Sequence, residues 1–504
     1  MLAKRLPTRL FCAADVRAMD LRAIREWGIS GMELMERAGA SVFKAAQERW
    51  PGARTLSVVT GGGNNGGDGF IVARLAHQAG WDVRVFPVFP PETLKDDAAL
   101  AFQRYRNAGG ALLHFIPEDF EGSEILVDGL FGTGLNRPVD EAPLAVIHAI
   151  NRYRERGFQH QKNRRGVLAI DIPSGLSADT GQTLGGAVKA DLTVTFVGLK
   201  QGLFTGDGPD RCGEIRFEDL DLDPRLQTES PCSSRLLEHF RGLPPRPLSS
   251  HKGMNGHVLI VGGNHGFGGA PRLSGEAALR IGAGLVTVAA RPPAALTMQL
   301  GCPELMCHGV DAPDSLAPLM EAASLIAIGP GLGQDAWAEA LLNAVLESSK
   351  PLVVDADALN LLARRPIKRS HWVLTPHPGE AARLLGTDTA AIQKDRFSAL
   401  SQLVKTFGGT LVLKGSGSLI QSDDQTPEIC RHGNPGMATG GMGDVLTGVI
   451  AGLVAQGLSL PDAARRGVQW HALAADRAAE AGQRGLMASD LMPHLRTLVN
   501  QGTP

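Results

Sequence analysis

The sequence predicts an α/β protein built from two domains. The chain has 504 residues, and domains usually span about 100–200 residues. Short apolar runs of strand composition alternate with stretches in which apolar residues recur at helical spacing, a pattern typical of βαβ units and a mostly parallel sheet. Apolar residues make up 43% of the chain and charged residues 20%, which excludes a disordered polymer.

The first half predicts one sheet with helices between its strands. Helical spacing predicts helices over residues 70–79, 98–108 and 144–153, and residues 1–50 are also predicted to be helical. The predicted strands are residues 55–60, 83–89, 125–128, 167–172 and 192–196.

A stretch rich in Pro and Ser around residues 224–250 predicts a domain boundary near residue 230. The predicted domains are therefore residues 1–229 and 230–504. The second half is also predicted to be α/β, with strands at residues 257–261, 285–289, 325–328, 352–355, 372–375 and 411–414.

Charge and cysteine usage narrow the functional classes. The formal net charge of -2 gives no general positive field for nucleic acid or an anionic membrane. No run of about 18 apolar residues predicts a membrane span, and charged residues interrupt the N-terminus before a signal sequence could form. The six cysteines are scattered without a CxxC pair. We therefore expect a reduced, cytoplasmic protein that binds neither nucleic acid nor membranes.

A glycine motif follows the first predicted strand of the sheet. Gly61, Gly63 and Gly66 match GxGxxG between a strand and a helix, where backbone amides can hold a pyrophosphate. A tight turn that simply requires glycine is the alternative. An ordinary Rossmann dehydrogenase would have an acidic residue at the end of the second strand, whereas here Asp82 precedes that strand.

Polar residues also follow two later strands, in loops that converge if the sheet is parallel. Asn65, Asp128 and Ser174 could then supply hard oxygen ligands for a cation. Asp68 and Asp171 would remain for a substrate. Each aspartate taken alone is more often a cap or a turn residue.

The motifs NNGGDG at 64–69, DGLFGTG at 128–134 and DIPSG at 171–175 resemble the N-terminal domain of the NAD(P)H-hydrate epimerases, over residues 11–225. The resemblance implies a Rossmann-like three-layer domain that interconverts the R and S forms of hydrated NADH and NADPH, and it implies a potassium ion near Asn65, Asp128 and Ser174. Epimerisation needs a proton acceptor and donor near C6 of the ring, and Asp171 is our candidate. The residues that the resemblance places around the substrate are Asn64, Asn65, Gly66, Gly67, Asp68, Gly132, Thr133, Gly134, Leu135, Asn136, Arg137, Pro138 and Asp171.

The second half contains a glycine-rich segment, TGGMGDVLTGVIAGL at 439–453, immediately before an apolar helical run. Amides from Gly440 to Gly443 can stabilise charge on a transferring phosphoryl group, while Asp444 accepts the proton of the attacking hydroxyl. Alternatively, Asp444 only stabilises the helix dipole. No Walker GxxxxGK[ST] motif is present, which excludes a P-loop site.

HKGMNG at 251–256, GPGLG at 329–333, TPHPGE at 375–380, KGSGS at 414–418 and NPGMATGGMGDVLTG at 434–448 resemble the ribokinase-like ADP-dependent NAD(P)H-hydrate dehydratases, over about residues 235–500. The resemblance implies a central sheet flanked by helices, ADP as phosphoryl donor, Mg²⁺ and Asp444 as base. Ser418 stands where a threonine is usual, and the hydroxyl is retained. The implied substrate residues are Ala270, Gly331, His377 and Asp444, and the implied nucleotide residues are Lys414, Gly415, Ser416, Gly417, Ser418 and Gly443.

The two resemblances together imply a bifunctional repair enzyme, because a dehydratase specific for the S epimer needs an epimerase to use the R epimer. Its substrates would be hydrated NADH and NADPH (NADHX and NADPHX) with ADP, its products NAD(P)H, AMP and phosphate, and a homo-oligomer is expected. The residues alone do not separate ADP from ATP. Three alternatives remain: a ribokinase-like small-molecule kinase fused to a Rossmann-like regulatory or binding module, a non-enzymatic scaffold role for the first half, and a nicotinamide-dependent dehydrogenase.

Overall fold

In the computed structural model the chain divides into two compact units, Met1–Leu236 and Leu237–Pro504. The structure describes residues 6–115, 120–159, 165–423 and 425–501, so the first five residues of the predicted N-terminal helical stretch lie outside it. Each unit alternates strands and helices, which confirms the predicted α/β fold class.

The first unit contains nine strands and seven helices within the described residues. Its strands are β1 (Arg9–Phe11), β2 (Thr55–Thr60), β3 (Asp82–Pro87), β4 (Ile125–Gly129), β5 (Gly166–Ile170), β6 (Leu192–Phe196), β7 (Leu199–Lys200), β8 (Glu214–Glu218) and β9 (Ser234–Leu236). Its helices are α1 (Ala13–Trp27), α2 (Gly31–Arg49), α3 (Asn64–Gln78), α4 (Asp96–Asn107), α5 (Glu141–Gln159), α6 (Gly208–Cys212) and α7 (Arg225–Glu229).

Six of these strands form a parallel sheet in the order β3-β2-β4-β5-β6-β8. Strand β3, which follows β2 in sequence, pairs with one edge of β2, and β4 pairs with the other edge. The strand order therefore reverses between β2 and β4, and in open α/β sheets ligands bind at the carboxyl ends of the strands at such a point.

Side chains of the central strands alternate between two apolar cores. Val58 and Val127 pack in the core that contains residues of α1 to α4, whereas their neighbours Val59 and Leu126 pack in the core that contains residues of α5. Successive side chains of a strand point to opposite faces of the sheet, so a strand buried on both faces contributes alternate residues to the two cores. The first unit is therefore a three-layer arrangement of helices, sheet and helix, as the sequence predicted.

The structure differs from the prediction in two places near the N-terminus of the first unit. Residues 9–11, predicted to be helical, form β1, which pairs with β7 and β9. The NNGGDG motif, which precedes the helix predicted over residues 70–79, itself begins helix α3 at Asn64. A Cβ atom on Gly66 would lie 2.1 Å from the carbonyl oxygen of Gly61. Close approach of the helix to the preceding loop therefore requires glycine here, despite the poor helix propensity of glycine.

The second unit contains nine strands and eleven helices within the described residues. Its strands are β10 (His257–Val261), β11 (Leu285–Ala290), β12 (Met306–Gly309), β13 (Leu325–Ile328), β14 (Leu352–Val354), β15 (Trp372–Leu374), β16 (Thr410–Leu413), β17 (Ser418–Ser422) and β18 (Glu428–Cys430). Its helices are α8 (Gly269–Ile281), α9 (Pro292–Met298), α10 (Pro313–Ala322), α11 (Ala336–Glu347), α12 (Ala356–Leu362), α13 (Pro378–Leu385), α14 (Thr389–Lys394), α15 (Arg396–Phe407), α16 (Met442–Ala455), α17 (Leu460–Ala478) and α18 (Met492–Val499).

The sheet of the second unit is parallel in the order β12-β11-β10-β13-β14-β15-β16 and continues as an antiparallel β16-β17-β18 ribbon. All six predicted strands are present, and β12, β17 and β18 were not predicted. Helices α8 and α16 cross in close contact, because a Cβ atom on Gly448 would lie 2.0 Å from the carbonyl oxygen of Ser274. In the described residues, no helix has both the length and the apolar character that a bilayer span requires.

We expect the two units to fold when expressed separately, and we expect the position of the cut to affect stability. A cut after residue 229 removes β9, which pairs with β1 through Arg9–Arg235 and Leu10–Ser234. It also removes the Ser233 hydroxyl that donates to Asp15 at 2.7 Å. Thermal melts followed by circular dichroism should therefore give a higher Tm for fragment 1–236 than for 1–229. Equal melting temperatures would contradict this prediction.

Candidate active sites

A cavity of about 750 Å³ lies in the first unit at the point where the strand order reverses between β2 and β4. Gly66, Gly67 and Pro138 do not line it. The predicted site residues that do line it are Asn64, Asn65, Asp68, Gly132, Thr133, Gly134, Leu135, Asn136, Arg137 and Asp171. Three separate motifs of the sequence therefore meet in one cavity.

Asp171 follows β5 directly and forms an ion pair inside this cavity. Its Oδ1 accepts a hydrogen bond from Lys200 Nζ, and its backbone has a φ of 66°, in the left-handed region. Lys200 is only 1% exposed and also donates to Thr195 Oγ1 at 3.1 Å and to the Phe196 carbonyl at 2.9 Å. Sequence analysis missed Lys200, whose only signal is a charge within an apolar stretch.

Asp20 and Asp68 place two further carboxyl groups in the cavity lining. Burial raises the pKa of Asp68 well above its usual range, and the neighbouring charges of Asp171 and Asp20 raise it further. Burial likewise raises the pKa of Asp20 to about 6. Asp20 lies in α1, far in sequence from every recognised motif, and was not predicted.

The predicted potassium ligands lie at the carboxyl ends of β2, β4 and β5, and they are Asn65, Asp128 and Ser174, respectively. Ser174 donates to Asp128 through its hydroxyl at 2.6 Å and through its amide at 2.8 Å, and its Oγ is 3.2 Å from the Phe131 carbonyl oxygen. Burial raises the pKa of Asp128 to about 6. The buried Nδ2 of Asn65 has no hydrogen-bond partner among the described residues.

In the second unit, the predicted catalytic Asp444 lies in the first turn of α16. Burial raises its pKa to about 7, and the charge of Asp355 contributes in the same direction. Gly441, the residue before the helix, has a φ of 92°, in the region that favours glycine. A Cβ atom on Gly443 would lie 3.3 Å from Lys414 Nζ, so two predicted nucleotide residues are adjacent.

Lys414 contacts two buried carboxyl groups close to the start of α16. Its Nζ lies 2.7 Å from Asp355 Oδ1 and 3.8 Å from Glu380 Oε2. Thr447 Oγ1 donates to the other oxygen of Asp355 at 2.8 Å. Burial alone would raise the pKa of Asp355, but Lys414 and Thr447 lower it on balance. Sequence analysis did not select Asp355, although its position after a buried strand is the signal that selected Asp128 and Asp171.

A buried arginine donates hydrogen bonds to the backbone of the predicted nucleotide loop 414–418 and of the residue before it. Arg396, 1% exposed, donates to the carbonyls of Leu413 at 3.3 Å and Gly417 at 3.4 Å. A Cβ atom on Gly415 would lie 2.7 Å from the Arg396 guanidinium, which explains the glycine there. Ser418 begins β17 and donates to the Gly415 carbonyl at 3.1 Å. Ser416 lies between these glycines in the same loop.

The remaining predicted substrate residues occupy neighbouring loops of the second unit. Gly331 follows β13, and a Cβ atom on it would lie 3.3 Å from the Cβ of Ala270. His377 precedes α13, where its Nδ1 accepts a hydrogen bond from the Gly379 amide at 3.0 Å. Burial lowers the pKa of His377, and its Nε2 lies 3.3 Å from Glu380 Oε1, so this helix cap also contacts a carboxyl group beside Lys414.

Comparison with known proteins adds independent evidence. A family model described as NAD(P)H-hydrate dehydratase matches residues 258–496, and one described as YjeF-related protein N-terminus matches residues 31–202. The bifunctional NAD(P)H-hydrate repair enzyme Nnr of Coxiella burnetii is 49% identical over 499 residues, which cover 98% of this chain and 100% of that protein. The Escherichia coli protein of the same name is 42% identical over 500 residues. That match covers 98% of this chain and 95% of the Escherichia coli protein.

Among solved structures, an ADP/ATP-dependent NAD(P)H-hydrate dehydratase from Bacillus subtilis, co-crystallized with ATP/Mg²⁺, is 29% identical. The match covers 51% of this chain and 93% of that chain, with a TM-score of 0.47. The two sequence relatives, which extend across both units, confirm the resemblances seen in the sequence motifs. The chain belongs to the family of bifunctional NAD(P)H-hydrate repair enzymes.

Proposed function

We propose that the first unit interconverts the R and S forms of NADHX and NADPHX, and that the second unit dehydrates the S form with conversion of ADP to AMP and phosphate. The observation that carries the dehydratase assignment is the position of Asp444, a half-buried carboxyl at a glycine-bearing helix start beside Lys414. Membership in the repair family favours this function over a kinase fused to a regulatory module.

In the second unit, Asp444 accepts the proton of the C6 hydroxyl as that oxygen attacks the terminal phosphate of ADP. A pKa near 7 suits a general base at neutral pH. Amides of residues 440–443 stabilise the charge on the transferring group. Phosphate then leaves C6, with electrons supplied by the ring nitrogen and loss of a proton from C5, which restores the dihydropyridine. Hydroxide itself would be a poor leaving group.

Asp355 and Glu380, the carboxyl groups beside Lys414, would hold Mg²⁺ together with a nucleotide, because this ion commonly uses one or two carboxylates plus phosphate oxygens. The described residues contain no cluster of three His, Cys, Asp or Glu side chains that could hold a metal ion without the nucleotide. When bound, the ion would neutralise charge on the phosphates.

In the first unit, Asn65, Asp128 and Ser174 supply one buried carboxylate and neutral oxygens, a donor set whose charge suits K⁺. Asn65 would contribute its Oδ1, since the unpartnered Nδ2 can only donate a hydrogen bond. Bound K⁺ would fix the loops after β4 and β5. Asp171, in the cavity lining, accepts and returns the proton of the substrate hydroxyl.

We expect Asp128→Ala to raise the K⁺ concentration needed for epimerisation, because it removes the carboxylate of this site. Dehydration of pure S epimer should be unchanged. The measurement is the epimerisation rate against KCl, with NaCl keeping the ionic strength constant. Asp82→Ala is a matched control, since Asp82 is an exposed aspartate at the start of β3, at the opposite end of the same sheet's strands. A KCl dependence equal to that of the wild type would remove the potassium assignment.

The whole proposal is tested by incubating the protein with NADHX and either ADP or ATP. Recovery of absorbance from reduced nicotinamide, together with AMP from ADP, is the expected result. A stable phosphorylated product would instead support the kinase alternative. Repeating the assay with NADPHX measures the preference between the two substrates. A cytoplasmic location and a homo-oligomeric state remain predictions.

A further inference from the structure

The cavity of the first unit gathers more carboxyl groups than its one buried cation can pair. Asp20 comes from α1, Asp68 from α3 and Asp171 from the residue after β5, and Lys200 ends β7. Lys200 forms its ion pair with Asp171. Within the described residues, no hydrogen bond or ion pair involves the side chain of Asp20 or Asp68.

The carboxyl groups therefore occupy unequal environments. Asp171 has the ammonium of Lys200 and the hydroxyl of Thr195 beside it. Burial raises the pKa of Asp68, the like charges of Asp171 and Asp20 raise it further, and the charge of Lys200 opposes them. Carboxyl groups clustered in one cavity cannot all ionise, and of the two without a partner Asp68 is the one whose pKa burial raises well above its usual range, so Asp68 stays protonated. Where environments separate two carboxyls in this way, one serves as acid and the other as base.

We propose that Asp68 is a second catalytic residue of the epimerase, the proton donor that complements Asp171 as proton acceptor. This inference rests on the proposed function of the first unit. Asn65, which is 8% exposed and whose buried Nδ2 has no hydrogen-bond partner among the described residues, lines the same cavity and independently indicates that the cavity accepts a polar ligand.

The proposed step opens and recloses the ring. Asp171 takes the proton of the C6 hydroxyl, the oxygen forms a carbonyl with C6, and the C6–N1 bond breaks with its electron pair moving to N1. Asp68 supplies the proton that N1 gains. Rotation about C5–C6 presents the other carbonyl face, N1 attacks it, and the two protons return to Asp68 and to the hydroxyl. No oxidant or reductant is consumed.

The test uses the full-length protein with a mixture of R and S substrate and excess ADP. Asp68→Asn keeps the size of the side chain but cannot donate the acid proton, so we expect epimerisation to slow by ~10²–10⁴-fold. The initial consumption of the S epimer, which the second unit performs, measures the amount of folded protein in the same sample. A thermal melt of the variant checks the first unit directly.

A second variant tests the electrostatic part of the inference. Asp20→Asn removes a like charge from beside Asp68, so the protonated form of Asp68 should be lost at lower pH. The alkaline limb of the epimerisation profile should therefore move to lower pH than in the wild type. An unmoved limb, or an Asp68→Asn variant with wild-type epimerisation, would overturn the inference while the proposed function stands. A wild-type protein without epimerase activity would overturn the proposed function itself.

Discussion

Replacing Asp444 by Asn should lower dehydratase turnover by ~10²–10⁴-fold while leaving nucleotide affinity nearly unchanged. Asparagine keeps the shape of the side chain at the start of α16 but cannot accept the proton of the C6 hydroxyl. Gly443 and Lys414, the adjacent residues predicted to bind the nucleotide, are not altered. Turnover on pure S epimer and nucleotide affinity, measured on one preparation, separate chemistry from binding.

The same residue predicts a pH dependence. Because the pKa of Asp444 is raised to about 7, its basic form is lost as the pH falls through that value. Turnover of the wild-type dehydratase should therefore rise with pH up to about 7 and level off above it, and the residual activity of Asp444→Asn should lack this limb. A wild-type profile that is flat across neutral pH would contradict the assignment of Asp444 as base.

Stability distinguishes a catalytic Asp444 from one that only stabilises the helix dipole. A carboxyl whose folded-state pKa is raised destabilises the fold above its unfolded pKa, so Asp444→Asn should melt no lower than the wild type at pH 8. Asp462→Asn is the matched control, since Asp462 is an exposed first-turn aspartate of α17. A lowered Tm with near-wild-type turnover in Asp444→Asn would reject the catalytic role.

The sequence located the central strands well, for physical reasons that the structure makes clear. The strands β2, β6, β10 and β13 have the predicted bounds, because each is a short apolar run buried on both faces. Length alone does not explain the outcome, since β14 and β15 have three residues and were predicted, whereas β8 and β17 have five and were missed. The predicted strands β14 and β15 are fully buried, and the missed strands β8 and β12 are partly exposed and lack a continuous apolar run.

The candidate sites were predicted where a motif is local in sequence. Asp171 directly follows a strand and Asp444 lies in the first turn of a helix. The residues next to them in sequence predict both positions. Lys200 and Arg396 have no such neighbours, because their importance arises from contacts with residues distant along the chain. Asp20 and Asp68 likewise line one cavity only because α1 and α3 contribute to the same core. Side-chain partners of this kind require the fold.

Replacing Asp171 by Asn should divide the repair reaction into two phases. With mixed R and S substrate and excess ADP, the S fraction should disappear at wild-type speed, and the remainder at the rate of spontaneous epimerisation. Asparagine is the best replacement because it tolerates the left-handed backbone that Asp171 adopts, at a φ of 66°. The fast first phase is an internal control for the second unit.

The ion pair with Lys200 requires one more variant. Removing one partner of a buried ion pair leaves an uncompensated charge and costs about 3–5 kcal/mol, and Lys200 is almost fully buried. Asp171→Asn could therefore lose epimerisation through unfolding of the first unit alone. The double variant Asp171→Asn with Lys200→Met removes both charges and should recover the melting temperature without recovering the second phase. A second phase as fast as in the wild type, in either variant, would show that epimerisation does not need Asp171.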